Sequence, residues 1–301
     1  MVTFRVAADE VGQRLDRLVV KHASGLGRRS ATELFARGAV RVEGRRAKKG
    51  DRPPAGAEIT VLLEGAEVVL PEPGAPLDVR LETTSVVVVS KPAGQPTAPV
   101  RLGERGTLAQ ALLGRYPELA GVGHREREPG LLHRLDTQTS GLVVAARSDE
   151  AFQVLRSALS AGRLTKRYLA VVGAEGLGAG GIVDLSLTKD RRDERRIAIA
   201  DVGDESARAA HSEWRRLRVS GPFALVSVTA SPASRHQVRV HLAALGHPIV
   251  GDALYGGPAA ESLGERHALH ASQVAWAGDG RVPAFDVEDP LPADLAALVP
   301  G

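Results

Sequence analysis

Beyond Leu77 the apolar residues of this chain come in short β-branched runs, and this restricts the fold more than any other feature. Val86–Val89, Gly141–Ala146, Tyr168–Val172 and Phe223–Thr229 are each of strand length. None approaches the ~20 apolar residues of a membrane-spanning helix. Helical spacing and capping residues predict helices at about 107–115, at 149–161 with Ser148 as cap, and at 236–245. The Gly- and Ala-rich stretch from Gly173 to Gly181 reads as a loop. The mixed-charge run Lys189–Arg196 reads as a solvated turn. Strands and helices in irregular order favour an α+β domain on a central, largely antiparallel mixed sheet flanked by helices, and argue against a doubly wound α/β fold. There is no Gly-x-Gly-x-x-Gly at a strand-to-helix turn and no phosphate-loop motif, so ATP, GTP and nicotinamide chemistry have no visible seat.

The first 65 residues have a different character. Leu15, Leu18 and Val19 mark a helix over 12–22, and a second is expected at 29–37, with Ser30 as a possible cap and Gly38 as its stop. Ala39–Val42, a turn at Glu43-Gly44, and Ile59–Leu63 read as strand, turn and strand. Pro71, Pro73, Gly74 and Pro76 then give linker composition. The expected division is a small α+β domain over 1–65, a linker over 66–76 and a larger domain over 77–301. Residues 1–65 hold 13 Lys and Arg against 8 Asp and Glu, whereas the remainder holds 26 against 28. The basic excess is therefore N-terminal, which suits a polyanion such as nucleic acid, or simply a solvated basic face. The chain has no cysteine, which excludes disulfides and thiol catalysis. Its first residues lack the order of a signal peptide, so a soluble cytoplasmic protein is expected.

Two segments concentrate reactive side chains. In Leu131–Gly141, His133, Arg134 and Asp136 lie within four residues, just before a strongly apolar strand. A carboxylate held rigidly there could act as nucleophile, base or metal ligand. Spacing alone favours an Asx-turn, with Asp136 bonded to the backbone of Thr137 or Gln138. In the second segment, Ser234–Asp252, three histidines accompany Arg235, Gln237 and Arg239. His236 and His241 are five residues apart, not the four of a helical zinc pair, and no His-Glu-x-x-His pattern is present. Arg235 and Arg239, four apart, would share a helix face, either as a solvated stripe or as partners of a phosphate or carboxylate. Tyr168 is one of only three tyrosines. It reads as a core residue or as a platform on which a base could stack.

Taken together, these segments resemble the RluA-type pseudouridine synthases. His133-Arg134-Leu135-Asp136-x-x-Thr139-Ser140-Gly141-Leu142 is similar to that family's catalytic motif. Val88–Gly94, Lys166-x-Tyr168-x-Ala170, His236–Leu242 with Gly246–Gly256, and Arg266–Ala271 resemble its other motifs, in the same order, over about 77–290. The N-terminal part separately resembles the small S-four-type RNA-binding domain, through Arg14-Leu15-Asp16, Arg28-Arg29-Ser30, Leu34, Gly38, Val40-x-Val42-x-Gly44 and Lys48-Lys49. Two departures stand out. Pro232-Ala233-Ser234-Arg235 replaces the family's frequent Thr-Gly-Arg-Thr, displacing the arginine by one, and Ala98 stands where a His is frequent.

The resemblance implies conversion of uridine to pseudouridine in RNA. The reaction breaks the C1′–N1 bond, turns the base and joins C1′ to C5, with no change in composition and no need of a cofactor, metal or energy source. The uridine would be flipped out of its stack. Asp136 would be the nucleophile or abstract a sugar proton. Arg134 would fill the vacated space, Tyr168 would stack on the uracil, Arg239 would keep Asp136 ionised, and Leu269 would line an apolar floor. Arg14, Arg28, Arg29, Arg37, Arg45, Arg46, Lys48 and Lys49 would grip structured RNA, ribosomal by preference, with transfer RNA open. A monomer without protein partner is implied. The rival readings are a non-catalytic RNA-binding assembly factor of the same fold and a histidine-based metallohydrolase.

Overall fold

The computed structural model describes residues 2–23, 28–36, 38–62, 69–100, 104–125, 127–231 and 234–300, with the side chains of 28–30 and 231 outside that description. The chain divides into two compact units: Met1–Leu70 with His124–Glu128, and Pro71–Gly123 with Pro129–Gly301.

The first unit contains β1 (Val2–Arg5), α1 (Leu15–His22), α2 (Arg28–Ala36), β2 (Val40–Val42), β3 (Arg45–Arg46) and β4 (Glu58–Val61). Its antiparallel sheet has the order β1-β4-β2-β3. Leu15, Leu18 and Val19 are fully buried, in one core with Leu34, Val40 and Ile59. This is the outcome that their i, i+3, i+4 spacing demands. Helix α1 starts three residues later than expected, because Gly12 takes a left-handed φ of 84° in a turn. Ser30 lies inside α2, not at its cap. The β2–β3 turn puts both Glu43 and Gly44 at positive φ, 48° and 74°, the combination that matches the twist of a two-residue hairpin. Arg37 and Leu63, expected at element ends, lie outside the described residues.

The second unit contains β5 (Asp78–Glu82), β6 (Val86–Lys91), α3 (Leu108–Arg115), β7 (Ser140–Ala146), α4 (Asp149–Ser160), β8 (Leu164–Gly173), β9 (Gly180–Asp184), β10 (Leu187–Lys189), β11 (Ile197–Ile199), β12 (His211–Ser220), β13 (Phe223–Ser231), α5 (Gln237–Ala244), β14 (Leu269–Trp276), β15 (Phe285–Glu288) and α6 (Ala293–Ala296). Nine strands form one sheet, ordered β5-β6-β7-β14-β8-β13-β12-β9, with β15 also pairing β14. All pairs are antiparallel except β7–β14, so the sheet is mixed and largely antiparallel, as expected. Helix α4 packs Phe152, Leu155 and Leu159 onto Val86, Val88, Leu142, Val144 and Trp276. The Ser148 hydroxyl caps it by accepting from Ala151 N at 3.2 Å.

One stretch expected to be irregular is ordered otherwise. Gly180 and Gly181 begin β9 instead of ending a loop. A Cβ at Gly180 would lie 2.7 Å from Trp214 O, so glycine lets this edge strand approach β12. The run Lys189–Arg196, expected as a turn, connects β10 to β11 in a hairpin. Among the described residues no helix is long and apolar enough to cross a membrane.

Candidate active site

Asp136 sits in the loop that enters β7. That loop is held from both sides. Leu132 N donates to Val144 O at 3.0 Å, and Thr139 N donates to Asp136 O at 3.0 Å. Thr97 Oγ1 donates to Leu135 O at 2.8 Å and accepts from Leu135 N at 3.2 Å. Lys91, fully buried at the end of β6, donates to the carbonyls of Pro92, Gln95 and Thr137 at 2.8, 2.8 and 3.1 Å. Burial pushes its ammonium down to about 7, while nearby Asp136 opposes the shift. An acceptor for each of its three protons favours the charged form further. The expected Asx-turn is not formed: among the described residues no backbone N–H donates to the Asp136 carboxylate, and the main-chain carbonyl closes the turn.

The entry into β7 also explains a glycine. Gly141 has φ 112°, and a Cβ there would lie 2.3 Å from Ala271 O. Only a bare Cα lets β7 run parallel and close to β14, with Ser140 opposite His270 and Gly141 opposite Ala271.

Helix α5 brings the countercharge. Arg239 Nη1 donates to Asp136 Oδ2 at 2.7 Å, while Nε and Nη2 reach Asp252 Oδ2 and Oδ1 at 2.7 and 2.8 Å. The guanidinium carbon lies 5.0 Å from the centroid of Tyr255, within cation–π range. The side chain of Arg239 is only 8% exposed. Burial opposes its charge, yet Asp252 and Asp136 hold it more firmly protonated than usual. Burial likewise raises Asp136, but His236, Arg239 and His267 outweigh it and keep the carboxyl below its ordinary value. His236 is itself drawn down to about 4 by burial and is neutral at pH 7. Arg239 therefore carries the permanent charge that keeps Asp136 ionised.

His236 contributes a directed N–H. It caps α5 in the left-handed region, φ 55° and ψ 10°, a conformation uncommon outside glycine. Tyr255 Oη accepts from Ile197 N at 2.9 Å and lies 2.8 Å from His236 Nδ1. With the tyrosine proton on that bond, the ring proton sits on Nε2, which is 3.5 Å from Asp136 Oδ1. The other tautomer would aim a lone pair at a carboxylate.

Tyr168, Ala170, Leu269 and Ala271 point to one face of the sheet, since Tyr168 pairs with Ala271 and Ala170 with Leu269. Tyr168 and Leu269 are 7% and 4% exposed. Burial, then the charge of Asp136, raises the Tyr168 phenol, so it is a neutral ring close to the carboxylate.

The structure thus unites Asp136 with Arg239 and Tyr168. Arg134, two residues before Asp136 in the chain, is exposed. Arg235 does not share a helix face with Arg239. It precedes α5 and donates to Arg195 O at 2.7 Å in the hairpin turn. The histidines diverge: His241 bonds Ser212 Oγ and Leu185 O, and His247 bonds Gly173 O. Among the described residues no group of three or more His, Cys, Asp or Glu could hold a metal ion. His236, Asp252 and Tyr255 were legible as motif members but not as neighbours of Asp136, because no local spacing brings residue 252 or 255 to residue 136.

In the first unit Arg45, Arg46, Lys48 and Lys49 are exposed. Arg14 is paired with Asp16 at 3.0 Å. Arg14, Arg17, Lys21 and Lys49 line a cleft of about 890 Å³. Arg17 and Lys21 were missed in the sequence, although their exposed positions on α1 follow from the burial of Leu15, Leu18 and Val19. The side chains of Arg28 and Arg29, and all of Arg37, lie outside the described residues.

A mixed, largely antiparallel sheet thus carries a paired, ionised aspartate close to a buried tyrosine. Residues 85–244 match the family described as RNA pseudouridylate synthase. An uncharacterized RNA pseudouridine synthase of Chloroflexus aurantiacus is 37% identical, over 98% of this chain and 91% of its own. The ribosomal large subunit pseudouridine synthase D of Xylella fastidiosa is 32% identical, over 96% and 88%. The solved structure of human RNA pseudouridylate synthase domain containing 1 superposes with a TM-score of 0.55 at 25% identity, over 73% of this chain and 86% of that one. The chain belongs to the RluA-type RNA pseudouridine synthases, isomerases that act on RNA.

Proposed function

We propose that the chain isomerises uridine in large-subunit ribosomal RNA, with Asp136 acting on a flipped-out nucleotide. The observation that carries this reading is the Asp136–Arg239 pair, a carboxylate held ionised at 2.7 Å from a buried guanidinium. An uncompensated buried carboxylate would protonate and could neither attack C1′ nor take a sugar proton. The Tyr168 ring stacks on the uracil. Its phenol is raised by burial and by Asp136 and so meets the uracil as a neutral ring. Arg134, exposed at the rim, takes the place of the extruded base, and Leu269 floors the pocket. Glycosidic cleavage, rotation of the base and C1′–C5 bonding follow within this enclosure. The proton on C5 is exchanged for one on N1, so the atoms balance without a co-reactant.

Ribosomal RNA is favoured by the name of the Xylella relative, a ribosomal large subunit pseudouridine synthase, and by the basic cleft of the first unit, which we read as an S-four-type RNA-binding domain spanning 1–65 before a linker at 66–76 and a catalytic domain at 77–301. Unmodified transcripts of large-subunit ribosomal RNA, incubated with the protein, should acquire pseudouridine at discrete positions. Asp136→Asn should fold normally and form none. Near-normal activity of that variant would overturn the assignment.

A further inference from the structure

His133 opens the motif that contains Asp136, yet nothing in the chemistry above uses it. Its Nε2 accepts from Val144 N at 3.3 Å, which places the ring proton on Nδ1. That Nδ1 is buried and has no hydrogen-bond partner among the described residues. A buried donor left unmade costs free energy and asks for an acceptor.

Two cations flank this ring. Lys166 lies two residues before Tyr168 in β8 and faces the same side of the sheet. It is 6% exposed, and among the described residues no carboxylate pairs with it. Arg156, on α4, is tethered through Nη1 to Leu132 O at 3.1 Å, one residue from His133. Burial and then the charges of Lys166 and Arg156 disfavour a proton on His133. Burial and then Arg156 draw Lys166 down to about 8. Among the described residues this cluster holds cations and an orphan donor but no acid, so the element that would complete it is an anion.

We propose that Lys166, Arg156 and the Nδ1–H of His133 form a binding site for one phosphodiester of the RNA backbone, next to the nucleotide presented to Tyr168 and Asp136. Two strand residues span roughly 6.5–7 Å, so a phosphate at Lys166 is about one nucleotide step from a base on Tyr168. The site fixes the register of the strand and leaves base identity to other contacts. It rests on the reading of Asp136 and Tyr168 as the uridine site.

The test uses the full chain and an unmodified transcript of large-subunit ribosomal RNA. Lys166→Met should weaken RNA binding by about five- to tenfold near physiological salt and lower the slope of log K against log salt by about 0.7–0.9. Lys166→Arg should restore that slope. Neutral methylphosphonate linkages placed around the converted uridine should weaken binding to the wild-type protein at one linkage, and the same linkage should cost nothing in Lys166→Met. The methylphosphonate series on wild-type protein keeps the test decisive if Lys166→Met does not fold. Wild-type insensitivity at every linkage, or an unchanged slope in Lys166→Met, would overturn the phosphate site while pseudouridine formation by the wild type still stands. Absence of pseudouridine in every transcript would instead overturn the catalytic reading.

Discussion

Asp252 takes two of the guanidinium nitrogens of Arg239, at 2.7 and 2.8 Å, and so aims the third at Asp136. The fork of Arg239 is planar and rigid, and fixing two nitrogens fixes the remaining one. Asp252 is a positioning residue that acts through its partner.

Asp252→Asn should lower kcat by about 10²-fold with little change in KM, because a small misplacement at the reacting centre costs on that order. Arg239→Ala should lose activity and also destabilise the fold by roughly 3–5 kcal/mol, since it leaves Asp252 buried without a countercharge. Arg239→Lys should lose less of both. Thermal unfolding and single-turnover rates separate the two effects. Equal, negligible losses in all three variants would contradict the pairing.

The acid limb of the rate profile should report Asp136. Its carboxyl is held below the ordinary carboxylate value of 3.8 by groups that outweigh burial, so its charged form persists as pH falls from 7 to 5. In Arg239→Lys a weaker partner should move the acid limb upward. A limb that stays in place would show that Arg239 does not set the ionisation of Asp136.

His236 presents a neutral N–H to Asp136 and is held by Tyr255. His236→Phe should reduce kcat about tenfold, or ~1.4 kcal/mol of activation free energy. His236→Gln, which restores a donor, should recover part of it. Tyr255→Phe should act in the same direction through the lost Tyr255–His236 bond. Activity at wild-type levels in His236→Phe would remove His236 from the site.

Glu10, in the first unit, is buried beneath Lys21 at 2.6 Å and His22 at 2.7 Å and also accepts from Ala7 N at 3.0 Å. The bond to Lys21, with those to Ala7 and His22, lowers its carboxyl from 4.5 to about 2. A carboxyl depressed on folding adds stability above its unfolded value, and that stability fades as pH falls from about 4.5 towards 2. Glu10→Gln should therefore unfold at lower temperature than the wild type at pH 7, with the two curves converging near pH 2. Parallel curves across that range would refute the linkage.

The basic cleft gives a separate electrostatic readout. Arg17→Ala combined with Lys49→Ala should weaken RNA binding at all sequences and flatten its salt dependence by up to ~0.7–0.9 for each lost phosphate contact. An unchanged salt slope would mean that this cleft is not an anchor for RNA.

Local pattern exposed much of this protein. The valines of β6, the β7 run after Gly141 and the Ser148 cap of α4 were legible because period, length and capping chemistry are local properties. Strand β12 was not. Its sequence, His-Ser-Glu-Trp-Arg-Arg-Leu-Arg-Val-Ser, has no apolar run, and it becomes a strand by pairing with β13 and β9. Strand β1 is similarly made by β4. Arg235 and Arg239, four apart, suggested one helix face, but the left-handed cap at His236 turns the first away to the hairpin and leaves the second in the core.

The sequence by itself determined which residue types stand before β7, the family order of its motifs, the mixed and largely antiparallel character of the sheet, and the N-terminal basic excess. Tertiary structure alone decided that Asp136 meets Arg239 across 103 residues, that Asp252 and Tyr255 orient the partners of Asp136, and that His133 Nδ1 is buried with no hydrogen-bond partner among the described residues. The physical reason is range. Propensity and periodicity act within a few residues, whereas the ionisation of Asp136 depends on burial and on charges that only the closed sheet and α5 bring within hydrogen-bonding distance.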